Sequence, residues 1–173
     1  FSLEVDEGEF VSIVGPSGCG KSTFLHILAG FEAASGGDLS LYGEPVTEPG
    51  PDRGMMFQDF SLFPWLTVAK NVAWPLEIKR MSGSEREAVI AEQLDMVGLS
   101  AFRDHYPAEL SGGMKQRVAL ARLLALDPRI MLMDEPFGAL DAQTREQMQE
   151  QLLAIWSRHQ KTVLFVTHDI DEA

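Results

Sequence analysis

A chain of 173 residues, 45% of them hydrophobic, accommodates one globular domain with one buried core. Its formal net charge of −12 argues against a broad nucleic-acid footprint, which needs Lys and Arg in excess on one face. No apolar run approaches the ~20 residues of a membrane-spanning helix, the best candidates at 130–133 and 163–166 being of strand length, so the chain reads as soluble.

From the amino terminus, residues 10–14 are apolar and β-prone and run into a glycine-rich stretch over 15–20. A helical pattern then covers 22–29 and is closed by Gly30. Short strands are predicted at 38–41 and 53–57, with turn signals at Gly43-Glu44-Pro45 and Pro49-Gly50-Pro51 between them. From 67 to 96 the pattern is mostly helical, with interruptions expected near Pro75 and at Ser82-Gly83-Ser84, where Ser84 is placed as a helix cap with Glu87 three residues on. Beyond Leu110-Ser111-Gly112-Gly113 a helix is predicted to about Leu126, then a buried strand over 130–134, a helix over 141–159 and a strand over 162–167. Strands alternating with helices predict an α/β fold on a parallel sheet, interrupted by a helical insert. The chain opens at Phe1 without Met, within a strand-like run, and stops at Asp171-Glu172-Ala173 as a helical pattern begins, so it is expected to be a piece of a longer protein. Cys19 is the one cysteine and no signal-peptide pattern precedes it, which points to a reducing cytosolic setting.

Gly15-Pro16-Ser17-Gly18-Cys19-Gly20-Lys21-Ser22 satisfies G-x-x-x-x-G-K-[ST] between a predicted strand and helix, the context its mechanism requires. Glycines let the backbone wrap a phosphate, and the following helix, with Thr23 in its first turn, offers its positive end. Lys21 reaches the β- and γ-phosphates and Ser22 offers a hydroxyl to Mg²⁺. Cys19 occupies a variable position of this loop and reads as a spacer. The strand 130–134 ends in Asp134 and Glu135, where an α/β sheet places its ligand crevice. Taken alone, two adjacent acids are equally a solvated turn. After a phosphate loop they divide the labour, Asp134 holding the Mg²⁺ shell and Glu135 polarising the water that attacks the γ-phosphate.

Leu110-Ser111-Gly112-Gly113-Met114, standing before the strand 130–134, resembles the signature motif of ABC-type ATPases. Gly138-Ala139-Leu140-Asp141 resembles that family's D-loop, Gln58 its Q-loop glutamine and Thr167-His168-Asp169 its switch histidine, all in family order. The resemblance implies a P-loop NTPase core with a mostly parallel sheet, residues 1–57 and 115–173, and a part over 58–114 holding the Q-loop, helical subdomain and signature. It implies ATP and Mg²⁺ as ligands, Glu135, His168 and Gln58 in catalysis, and Ser22, Gln58 and Asp134 at the metal. Residues 15–23, Ser111, Gly112, Gly113 and Asp141 are implied at the nucleotide. Met114 stands where the commonest signature has Gln, and the family's adenine-stacking aromatic lies upstream of Phe1. The implied working form is a head-to-tail pair with a second ATPase subunit, in which each ATP lies between one chain's phosphate loop and the other's signature.

Phe57-Gln58-Asp59, Leu62-Phe63-Pro64-Trp65-Leu66-Thr67-Val68, Met114 and Arg117 look most like importers of nitrate, sulfonate and taurine. That resemblance implies transmembrane permease subunits, a separate solute-binding protein, a place on the cytoplasmic face of the membrane and no nucleic-acid partner. The apolar stretch Phe60, Leu62, Phe63, Trp65 and Leu66 is expected to line the groove for a permease helix, the alternative being that it fills the core beneath the insert. His26, His105 and His159 lack a motif and read as structural. A soluble ABC ATPase acting on DNA or ribosomes is the rival from another class, disfavoured by the compact insert.

Overall fold

The computed structural model describes the chain apart from Phe1, Ala139, Asp171, Ala173 and the side chain of His159. The expectations for Ala139 in the D-loop and for a helix beginning at Asp171 and Ala173 therefore lie outside the described residues, as does the reading of His159.

Four strands, β1 (Phe10–Val14), β4 (Arg53–Met56), β5 (Ile130–Asp134) and β6 (Thr162–Thr167), form a parallel sheet in the order β1-β6-β5-β4. Helix α1 (Lys21–Ala29) follows β1, and β2 (Ser40–Leu41) pairs with β3 (Glu44–Pro45) in a separate hairpin. Helices α2 (Val68–Ile78) and α3 (Gly83–Met96) make the insert, α4 (Gly112–Leu126) leads into β5, and α5 (Ala142–His159) into β6. The registers place Asp134 beside Val166 and Val14 beside Thr167, so the strand ends carrying the predicted motifs lie along one edge.

The two central strands are buried throughout, which explains why each reads as an unbroken apolar run rather than an alternation. Side chains still alternate between faces. Ile130, Leu132, Leu164 and Val166 pack with Leu25 and Ala29 of α1. Met131, Met133, Val163 and Phe165 pack on the other face with Leu120, Leu123, Met148 and Leu152 of α4 and α5. Each fully buried Leu or Phe contributes about 1.5–3 kcal/mol by removal from water. Val118, Ala121 and Ala125 turn the opposite side of α4 toward Val68, Val72, Leu76, Ile90 and Leu94 of the insert. One helix thus serves two cores, and the boundary expected at 114/115 falls in its first turn.

Four local expectations change. The strand at 38–41 shrinks to Ser40–Leu41, and the turn sits at Tyr42 and Gly43, both left-handed at φ 52° and 83°, so Glu44 and Pro45 pair back as a strand. The strand 53–57 ends one residue earlier, at Met56. Pro75 lies inside α2 without ending it; the hydrogen bond it forfeits is set against a buried position beside Leu76. Ser82, not Ser84, caps α3. Its hydroxyl accepts from Glu85 N at 3.4 Å while Glu85 Oε2 accepts from Ser82 N at 3.1 Å, and Glu87 pairs instead with Arg103 at 2.6 Å.

Candidate functional site

The phosphate loop connects the end of β1 to the start of α1. Gly18 and Gly20 take φ of 80° and 99°, and a Cβ at either would meet nothing, so the concave side of the loop is open. Gly20 precedes α1 with no side-chain cap, which leaves the first N–H groups of the helix facing the loop. Lys21, 8% exposed, folds over it and donates from Nζ to Gly15 O at 2.8 Å and Pro16 O at 3.0 Å. Cys19 is exposed and its thiol is free.

Three other stretches meet this loop. Ser22 donates from Oγ to Asp134 Oδ1 at 3.1 Å, across the space between α1 and β5. Glu135 Oε1 lies 3.8 Å from Lys21 Nζ, and Glu135 Oε2 accepts from Gln58 Nε2 at 3.3 Å and lies 3.1 Å from His168 Nδ1. Glu135 itself sits at φ 43°, a left-handed position for a residue with a side chain. Such strain costs about 1–3 kcal/mol and persists where surroundings impose it; here Glu135 N donates to Val166 O at 2.9 Å. The carboxylate is 15% exposed and the imidazole of His168 51%, so one side of the group opens to solvent.

The remaining predicted residues gather elsewhere. Ser111 caps α4, accepting at Oγ from Met114 N at 3.3 Å, and Ser111 and Gly112 are exposed. Gly113 is buried against α5, where a Cβ would stand 2.6 Å from Thr144 Cγ2. Asp141 caps α5, accepting from Thr144 N at 3.0 Å and from Thr144 Oγ1 at 2.7 Å, and these bonds hold its carboxyl below the usual aspartate range. Met114 packs against the insert core.

Two residues that motif reading passes over shape the surroundings. Asn71, fully buried, accepts from Phe63 N at 2.8 Å and donates from Nδ2 to the carbonyls of Phe63, Leu66 and Thr67 at 3.1, 3.1 and 3.0 Å. A polar residue amid the apolar positions Val68, Val72 and Leu76 was its signal in the sequence. Arg145 donates from Nη2 to Leu140 O at 3.0 Å and lies 3.5 Å from Asp169, so it ties the stretch before Asp141 to the turn carrying His168. Nothing local in the sequence marks that contact. The apolar stretch divides: Phe60 and Leu62 pack on the core, while Trp65 is 70% exposed with its ring 5.7 Å from that of Phe63.

Residues 1–138 match the ABC transporter family. The chain belongs to that family. It is 55% identical over 172 residues to an uncharacterized ABC transporter ATP-binding protein of Methanocaldococcus jannaschii, covering 99% of this chain and 64% of that protein. It is 52% identical over 172 residues to the nitrate import ATP-binding protein NrtD of Synechocystis, covering 99% of this chain and 65% of the relative. Among solved structures it resembles the dimeric ATP-binding cassette MJ0796 bound to ADP and Pi, at TM-score 0.87 and 42% identity over 99% of this chain and 79% of that one. The chain thus spans just under two thirds of the length of these curated relatives. No described helix is long and apolar enough to cross a membrane.

Proposed function

We propose that this chain binds and hydrolyses ATP as the energising subunit of an ABC transporter that imports a small solute, an anion of the nitrate, sulfonate or taurine type. The observation that carries the reading is the meeting of Lys21, Ser22, Gln58, Asp134, Glu135 and His168, drawn from separate stretches of chain, within hydrogen-bond or ion-pair reach around an open glycine loop. The 52% identity to the nitrate import protein supports the solute class.

In this reading the loop N–H groups and Lys21 bind the phosphates, with Lys21 exchanging its bonds to Gly15 and Pro16 for the β- and γ-phosphate oxygens. Glu135 is the base that orients and deprotonates the attacking water, and His168 and Gln58 hold its carboxylate from two sides. No group of three or more His, Cys, Asp or Glu able to hold a metal stands together among the described residues, and the hydroxyl and carboxylate pair of Ser22 and Asp134 suits Mg²⁺, which takes one or two protein oxygens and completes its shell with water and phosphate. Ser22 and Asp134, with Gln58, would hold Mg²⁺, whose charge would stabilise the transferring phosphoryl group.

Ser111, Gly112 and Gly113 then serve the nucleotide of a second copy, head to tail, and Asp141 lies at the nucleotide as well, its helix start meeting theirs through Thr144. The dimeric cassette structure supports that assembly. The division into a core over 1–57 and 115–173 and an insert over 58–114 assigns coupling to the insert, with the exposed Trp65 facing the permease. A separate solute-binding protein and a peripheral place on the cytoplasmic side of the membrane complete the reading.

The test pairs chemistry with partners. Glu135→Gln should bind ATP while turnover falls about 10²–10⁴-fold, the range for a general base, and an ATP-bound dimer should accumulate. Near-normal hydrolysis removes Glu135 as the base. A polytopic membrane protein should copurify with the tagged protein from gently solubilised membranes; a purely soluble DNA or ribosomal partner overturns the transporter assignment and leaves the ATPase chemistry standing.

A further inference from the structure

Just beyond Gln58 the backbone makes a left-handed turn. Phe60 and Ser61 take φ of 63° and 43°, a conformation that residues with a Cβ rarely adopt in succession. Phe60 N donates to Phe57 O at 3.2 Å and Ser61 N to Asp59 O at 2.8 Å, closing the turn around Gln58. Consecutive residues of one helical hand point their carbonyls the same way, and here both are met by one side chain of α4. Arg122 donates from Nη1 to Ser61 O at 2.6 Å and from Nη2 to Phe60 O at 2.9 Å. Its guanidinium carbon lies 5.8 Å from the centroid of the Phe63 ring. Burial pushes its pKa down, and no carboxylate is paired with it among the described residues. A half-buried cation without a counter-charge is stabilised when its hydrogen bonds are made, and the planar fork of Arg matches two parallel carbonyls where the single ammonium of Lys does not.

We propose that Arg122 is the positioning residue for Gln58, its fork holding the left-handed turn at Phe60 and Ser61 so that the Gln58 amide reaches Glu135. Arg122 stands about three turns along the helix that Ser111 caps, so the signature and the Gln58 turn move as one unit. The catalytic consequence rests on the ATPase reading above; the turn itself does not.

Hydrogen exchange, read by mass spectrometry on peptides covering 57–62, is measured alongside steady-state ATP hydrolysis for the protein as it stands, Arg122→Ala and Arg122→Lys. Loss of two charge-assisted hydrogen bonds should speed exchange at Phe60 and Ser61 by about tenfold or more in Arg122→Ala, while peptides from α4 and β5 exchange as before. Arg122→Lys should restore the melting temperature but not that protection. Where ATP is hydrolysed, kcat should fall about tenfold in Arg122→Ala with KM for ATP within about twofold, because Lys21 and the loop are untouched. Unchanged exchange over 57–62, acceleration spread equally over α4 and β5, or full protection in Arg122→Lys overturns the proposal. If the unaltered protein hydrolyses no ATP, the catalytic reading has failed and exchange alone decides the turn.

Discussion

Lys21, Ser22, Gln58, Asp134, Glu135 and His168 belong to parts of the chain far apart in sequence and meet only through bonds such as Ser22 to Asp134 and Gln58 to Glu135. Ser111 and Asp141, by contrast, cap helices through bonds made three residues away, to Met114 and Thr144. The first group needs the whole sheet in register before any of it exists, whereas each member of the second is satisfied locally. What the second group borrows from tertiary structure is a single close approach, Gly113 against Thr144. A site assembled over long range should fail as a unit, and one assembled from caps should fail a fraction at a time.

The largest break in that comparison is expected from Lys21→Ala. Removing a buried ammonium leaves the phosphates without their cation and Glu135 without its neighbour, so nucleotide affinity should fall by about two orders of magnitude or more in a fluorescent-nucleotide titration. Unchanged binding would contradict the loop assignment. Gly113→Ala comes next. Its methyl collides with Thr144 Cγ2 and overpacking of this kind costs about 1–3 kcal/mol, read as a lowered melting temperature. Thr144→Ser removes that methyl yet keeps the hydroxyl bonded to Asp141, so the double variant should recover most of the loss; if it does not, the close contact is not the cause.

Ser111→Ala sharpens the contrast by a smaller step, about 1 kcal/mol for the lost cap, with nucleotide binding to the isolated chain unaltered. The smallest effect concerns acid. Asp141 has a folded pKa below its unfolded value, so its contribution is complete above the unfolded pKa and is lost as pH falls through the folded one. Asp141→Asn should therefore be slightly less stable than the unaltered protein at neutral pH, with the difference shrinking below about pH 4 in thermal melts taken across the acid range, and a difference that persists undiminished in acid would point to something other than charge.

Much of this was legible because periodicity and cap chemistry are local. The apolar runs of β5 and β6, the glycine loop ahead of α1 and the start of α5 were found within a residue of their places, and the start of α4 within two. The misses were local competitions that neighbours decided. Ser82 and Ser84 both precede a Glu at the right spacing, and Glu87 is drawn away by Arg103. Pro75 argues for a break that burial beside Leu76 overrides.

The phosphate loop and the acids Asp134 and Glu135 stood out by their own residue types, because their chemistry is that of a short run, whereas Gln58, His168, Asp141 and the Ser111–Gly113 stretch were singled out by resemblance to a family. Distance came only from the fold. No pattern in the chain announces that Gln58 reaches Glu135, that Asn71 ties down the loop before α2, or that Arg122 grips two left-handed carbonyls, since these depend on where β4, β5 and α4 lie relative to one another. Hydrogen bonds and packing between segments remote in sequence are properties of the assembled core, and a linear reading sees only the groups available to make them.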